Sequence, residues 1–385
     1  MSRRESCPVC DQMGPEALDQ RHRVPIAQNV MYRTEAAAVA CPTGILDVVR
    51  CMSCGFAWNA AFDPDAIPYD EEYENNQSLS PAFVLHLDQV VALISERTPD
   101  ISKTTVLEVG CGQGYFLHRL AALFPDATLI GFDPSYRSSS PLPQGVRVER
   151  AYFNNSTRDL VGIQPDVLVT RHTIEHIANP LDFLRSLRAV ASAGTTVFVE
   201  TPSIQWILDG GVAHDLYYEH CSIFDAEALR FALERAGFFV DEVRHMLDGQ
   251  YLLAIARAGN PEPRARTSTV DNADYPARKA AYVERWRASI RRDAAAGTVS
   301  ALWGGASKGV TLSVLIGREG IKSAIDINPA RATSFMALTG VPVISPDEAR
   351  RAGVQKAYVM NPAYLSEIRS QCAAMGWSLE LVPVE

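Results

Sequence analysis

Val106-Leu107-Glu108-Val109-Gly110-Cys111-Gly112-Gln113-Gly114-Tyr115-Phe116-Leu117 reads as an apolar strand, a glycine turn and the start of an amphipathic helix. Glycine lets backbone approach a ligand closely, and a helix N-terminus is expected to present free N–H groups there. Gly110, Gly112 and Gly114 stand at spacing two, so the dinucleotide fingerprint with its later third glycine is absent. An acid, Glu108, closes the strand before them. The pattern repeats downstream. Residues 127–133 predict a second strand that ends in Asp133, where a carboxylate can accept both hydroxyls of a ribose; Asp133-Pro134 also suits a surface turn. Residues 147–153 predict a third strand, whose exit at Phe153 suits the flank of an adenine, and residues 165–172 a fourth. Further elements follow at 196–200, 225–236, 238–240 and 251–255. Such alternation predicts an α/β fold with a doubly wound parallel sheet over roughly 104–256 and a ligand at the carboxyl ends of its strands.

The whole chain, 385 residues with 47% hydrophobic and 21% charged content, is long enough for two or three globular domains. A net charge of −9 argues against a nucleic-acid partner, because no basic field is available to neutralise phosphates. No apolar run approaches the roughly 20 residues of a membrane span, and the first residues lack a signal-peptide core. A cytoplasmic protein, monomeric or a small homo-oligomer, with no membrane partner is expected, and its eight cysteines are expected as thiols or metal ligands. Cys7-Pro8-Val9-Cys10 and Cys51-Met52-Ser53-Cys54 are two C-x-x-C knuckles that together supply a closed, structural Cys₄ zinc site. Gly55 suits the left-handed turn of the second knuckle, and the 40 residues between Cys10 and Cys51 are expected to loop out. Cys41, Cys111, Cys221 and Cys372 are read as packed thiols.

Residues 81–97 have helical apolar spacing at Phe83, Leu87, Val90, Val91 and Ile94. The polar stretch 69–78 carries Tyr69 and Tyr73 and reads as a recognition loop or a staple onto the next domain. Beyond a linker near 258–264 and a charged helix at about 276–295, a second strand–loop–helix unit begins at 299. Its turn Gly304-Gly305-Ala306-Ser307-Lys308-Gly309 has the parts of an anion nest suited to a phosphate, without the order of a P-loop; the plainer reading is a helix start with Lys308 in solvent. Later strand segments at 323–329 and 356–362 make this a small Rossmann-like lobe. The expected division is 1–75, a zinc-binding module with a substrate loop; 76–258, the central sheet domain; 259–297, linker and helix; 298–385, the C-terminal lobe.

Two clusters fall at the predicted rim of the central sheet: His172-Thr173-Ile174-Glu175-His176 and His214-Asp215-Leu216-Tyr217-Tyr218-Glu219-His220. Neither has the H-E-x-x-H order of a zinc hydrolase, and acid–base chemistry is the better use of them. The order E-x-G-C-G-x-G resembles the S-adenosylmethionine loop of class I methyltransferases. With the Cys₄ module, the Glu175-His176 pair, the Y-x-E-H order of Tyr217 to His220 and the C-terminal lobe, the chain resembles over nearly its whole length the nucleotide-sugar C-methyltransferases, which methylate C-3 of a dTDP-4-keto-deoxysugar.

The resemblance implies that Glu108, Gly110, Gly112, Gly114 and Asp133 hold S-adenosylmethionine, with Pro134, Phe153 and His172 beside them. It implies that Tyr73 reaches the sugar, that His176 lines the pocket, and that His220 is the general base, oriented by Glu219 or Tyr217. Ser307 and Lys308 fall where the third lobe encloses the nucleotide. A hydrogen beside a ketone is acidic enough for a positioned base, and a donor such as Tyr217 or His176 can stabilise the enolate oxygen. The loose fit of the sequence after Tyr73, and Leu338-Thr339-Gly340 where the family has a Pro-Gly turn, bear on the substrate more than on the reaction class. Alternatives are O- or N-methylation of another small metabolite, and a zinc-ribbon binding protein with a non-catalytic core.

Overall fold

A computed structural model describes residues 3–67, 77–98, 100–137, 141–262 and 272–385. The N-terminal module contains β1 (Glu16–Pro25), β2 (Thr43–Arg50) and β3 (Ala57–Asn59). The stretch between the knuckles is therefore not a loose excursion. β1 and β2 pair antiparallel, and Leu18, Val24, Leu46 and Val48 bury their side chains in one cluster. That pairing links residues such as Gln20 and Asp47, which no local pattern connects. Gly55 does take the left-handed φ of +78°, and its N–H donates to the Cys51 carbonyl at 2.9 Å. In the first knuckle Asp11 does the same with a φ of +64° and a 3.0 Å bond to Cys7.

The helix Pro81–Arg97 is capped by Ser80, whose side chain accepts from the Phe83 N–H, and it buries the five apolar residues that its spacing marks. The central sheet holds β4 (Thr105–Val109), β5 (Thr128–Phe132), β6 (Val146–Glu149), β7 (Val167–Arg171), β8 (Thr196–Pro202), β10 (Phe238–Met246) and β11 (Tyr251–Ala258). Its order is β10-β11-β8-β7-β4-β5-β6. β4 to β8 run parallel as expected, but β11 is antiparallel to both of its neighbours, so the sheet is mixed. The turn between β10 and β11 is too short for a parallel crossover, and the pair closes as a hairpin through Leu247, Asp248 and Gly249 at positive φ. The two-residue strand β9 (Ser222–Ile223) leaves this domain and pairs with β3, completing a four-stranded N-terminal sheet. Phe56, Trp58 and Phe224 share one core with the central sheet and with Cys7, Cys51 and Cys54.

The C-terminal lobe is a five-stranded parallel sheet made of β12 (Ser300–Trp303), β13 (Ser323–Ile325), β14 (Val343–Ile344), β15 (Lys356–Val359) and β16 (Glu380–Pro383), in the order β14-β13-β12-β15-β16. The helix Tyr275–Ala295 packs Tyr282, Trp286 and Ile290 into it. No helix among the described residues is long and apolar enough to cross a membrane.

Candidate active site

Two cavities, of about 260 and 240 Å³, meet at the carboxyl ends of the central strands and share Gln77, His172 and His176 as wall. The first lies on the glycine turn and is lined by Glu108, Gly110, Gly112, Asp133, Pro134 and Phe153, all of them expected cofactor residues. Gly114 is not in its lining; it caps the helix Tyr115–Leu123. Gly110 takes a φ of +79°, and a Cβ there would lie 1.9 Å from Thr173 Oγ1, so no side chain fits between the turn and the exit of β7.

Within the turn itself the three glycine amides are already engaged. The N–H groups of Gly110 and Cys111 donate to the Phe132 carbonyl, Gly114 donates to Cys111, and Gly112 donates to Asp133 Oδ2 at 2.8 Å. The other Asp133 oxygen accepts from Ser135 N and Oγ. Asp133 thus ties the exit of β5 to the turn, and the loop contributes shape more than donors.

Glu108 supplies what the amides do not. It is buried, its Oε2 has no hydrogen-bond partner among the described residues, and its side chain borders the cavity. Burial pushes its carboxyl up to about 8; Arg171 pulls the other way, and Asp133 adds to the rise. A cationic ligand would compensate such a group, so the turn fits the amino and sulfonium charges of S-adenosylmethionine. Arg171 was not anticipated. Its Nε donates to Glu200 Oε2 at 2.7 Å and its guanidinium lies 4.9 Å from the Phe116 ring centre. Glu200 is fully buried yet held far below the usual carboxylate range, against its desolvation, by Arg171 and by His86, 2.5 Å away. Only the Arg171-His172 pair at a strand exit hinted at this in the sequence.

The second cavity is lined by His176, Tyr217 and His220 together with Ser307, Lys308 and Asp326 of the C-terminal lobe. The rings of His176 and His220 meet edge to face with centres 4.9 Å apart, and Tyr217 lies 4.0 Å from His220. Desolvation, followed by the nearby His176, His172 and Lys308, holds the His220 imidazole well below its ordinary pKa, so it is neutral near pH 7. Burial, with the charge of Asp215 adding to it, raises the Tyr217 phenol far above its usual range. His172 lines both cavities rather than the first alone, at a φ of +48°.

Three residues stand elsewhere than expected. Glu219 is fully buried and accepts from the Gln28 N–H at 2.6 Å; it lines neither cavity and fastens the N-terminal module to this loop. His214 leaves the site and bonds Tyr282 through Nδ1 at 2.6 Å. Lys308 is neither solvated nor free for an anion, since its Nζ bonds Asp215 at 3.1 Å and Gln250 at 2.9 Å and sits over Trp206. Tyr73 lies outside the described residues. Asp326 was missed as a site residue. At the end of β13 it accepts the Gly305 N–H at 3.0 Å, as Asp133 accepts that of Gly112.

The sulfurs of Cys7, Cys10, Cys51 and Cys54 lie within 4.8 Å of one another, with Cys7–Cys54 at 3.6 Å and Cys10–Cys51 at 3.5 Å. Four thiolates about 2.3 Å from one tetrahedral ion sit about 3.8 Å apart, so the set fits zinc.

A family model described as "Methyltransferase domain" matches residues 84–243, from the helix before β4 into β10. Among curated proteins the chain is 31% identical over 153 residues to a tRNA U34 carboxymethyltransferase of Campylobacter jejuni subsp. doylei, covering 37% of this chain and 52% of that protein. It is 25% identical over 200 residues to the one from Campylobacter concisus, covering 46% and 66%. The chain thus spans about half the length of the first of these relatives. Among solved structures, a SAM-dependent methyltransferase from Aquifex aeolicus is 19% identical over 51% of this chain and 99% of that one, with a TM-score of 0.37. Residues 84–243 thus match a methyltransferase domain, and the strands within them belong to a Rossmann-like α/β sheet. The enzyme class expected from the sequence, a methyltransferase, holds.

One expectation is overturned. Nucleic acid is not excluded as a partner, because the curated relatives carry the name of a tRNA-modifying enzyme. Net charge is a sum over the whole chain and does not report the potential inside a cleft.

Proposed function

We propose that the enzyme transfers a methyl group from S-adenosylmethionine to the carbon beside the ketone of a nucleotide-linked deoxysugar. The observation that carries this reading is the shared wall. A neutral, buried His220 opens into a cavity that adjoins the glycine-turn cleft through His172 and His176. In this reading Glu108, the Gly110–Gly114 turn and Asp133 hold the methyl donor, which supplies an electrophilic methyl when bound. His220 removes the proton beside the ketone, and the C–H electron pair delocalises onto the carbonyl oxygen as an enolate. Tyr217 keeps its proton to very high pH and is suited to donate to that oxygen. Asp326 and the Gly304–Gly309 turn are suited to a ribose and its phosphates, with Lys308 holding the lobe to Asp215 and Gln250. The four cysteines hold a structural zinc ion that shapes the module against the central sheet.

A second reading, carried by the name of the curated relatives, takes a tRNA nucleoside as acceptor at the same cofactor cleft. Methyl-labelled S-adenosylmethionine offered with nucleotide 4-keto-deoxysugars and, separately, with bulk tRNA divides the two. Label on a sugar carbon supports the first reading; label in tRNA with none on any sugar refutes it.

A further inference from the structure

Glu175, His176 and His220 converge where the loop after β7 meets the loop that leads into β9. We propose that these three side chains bind a divalent transition-metal ion of the zinc type, and that the ion excludes the acceptor by occupying His220. One carboxylate oxygen and one ring nitrogen from each histidine all lie within 4.8 Å of one another. Donors about 2.1 Å from a shared ion sit about 3.0–3.5 Å apart, a gap that small side-chain rotations close. The edge-to-face packing of the two imidazoles leaves both rings bordering the same cavity, which gives a hydrated ion a way in.

Glu175 is the independent sign of a missing ligand. It is 1% exposed, and Oε2 accepts from Thr201 at 3.1 Å. Oε1 has no hydrogen-bond partner among the described residues; His172 Nδ1 lies 3.4 Å away without bonding geometry. A buried carboxylate oxygen left in this state is costly, and a cation beside it removes the cost. Two histidines and one carboxylate are a common set for zinc and neighbouring metals, with positions left open for water. The donors are nitrogen and oxygen, so this set is chemically distinct from the four thiols of the N-terminal module. The blocking effect rests on His220 as the base, because one ring lone pair cannot hold both a metal ion and a proton; the binding itself does not.

The test is titration of the full chain, already carrying its cysteine-bound metal, with zinc chloride by calorimetry. Cobalt(II) absorption then identifies the donors. The expected result is one further equivalent without thiolate bands, weakened at least about tenfold in Glu175→Gln and in His176→Gln. Thermal melts of both variants check that they fold, and zinc should inhibit methyl transfer competitively with the acceptor. No further equivalent in the wild-type chain, or one that both folded variants retain, overturns the site. That result together with an inactive His220→Ala leaves the proposed function standing. Metal bound at this set with methyl transfer undiminished overturns the blocking effect, and the use of His220 as base with it.

Discussion

Replacing Glu108 by Gln should uncouple cofactor binding from proton release. Its carboxyl is pushed up to about 8 by burial, so at pH 7 it is about nine-tenths protonated before any ligand arrives. A cation bound beside it favours the carboxylate and should return its pKa toward the ordinary range near 4.5. Binding at pH 7 then releases up to about 0.9 proton from this group, and at pH 9 only about 0.1. Affinity for S-adenosylmethionine should therefore rise about tenfold, or about 1.4 kcal/mol, from pH 7 to pH 9 through this group alone. Without ligand the sign is opposite. The raised folded pKa adds stability that is present below about 4.5 and is lost as pH rises toward about 8. Calorimetry in two buffers of different ionisation enthalpy counts the protons, and Glu108→Gln subtracts those of the ligand's own amino group. Equal proton release by wild type and Glu108→Gln at pH 7 would refute the placement of the donor's charge beside this carboxylate.

Gly110→Ala would put a methyl group 1.9 Å from Thr173 Oγ1 at a φ of +79°. Cofactor binding should fall by two orders of magnitude or so, and Gly110→Ala/Thr173→Ala should recover only part of it, because the backbone strain of about 1 kcal/mol or more stays. Lys308→Met leaves the buried Asp215 without its cation and should cost about 2–4 kcal/mol in thermal unfolding, a loss that Lys308→Arg partly restores. Cys51→Ser should drop the metal content by one zinc per chain in elemental analysis and lower the melting temperature. Chelation of the wild-type protein should reproduce that drop.

The elements of the central sheet were legible because each is local. A strand that carries Glu108 near its end and runs through a glycine turn into a helix is written in twelve consecutive residues, and the helix Pro81–Arg97 in its apolar spacing. What escaped is set by distant partners. The pairing of β1 with β2, the antiparallel β11 and the passage of β9 into the N-terminal sheet are not encoded by any window of residues. The same holds at the site. The helix start reads as offering free N–H groups, yet just before it the Phe132 carbonyl takes the amides of Gly110 and Cys111, and Asp133 takes that of Gly112. Lys308 reads either as part of an anion nest or as a solvated helix start, and Asp215, far away in the chain, holds its charge instead. Glu219, read as an alternative to Tyr217 for orienting His220, accepts the N–H of Gln28. Asp326 differs: its position after a glycine turn and a strand repeats that of Asp133, and this signal was present in the sequence.

Solvent deuterium exchange tests the central claim most directly. A nucleotide 4-keto-deoxysugar incubated with the enzyme in D₂O, without S-adenosylmethionine, should gain one deuterium at the carbon beside the ketone, and His220→Ala should abolish the gain. Exchange at wild-type rate in His220→Ala, or methyl transfer to carbon by that variant, would contradict the account.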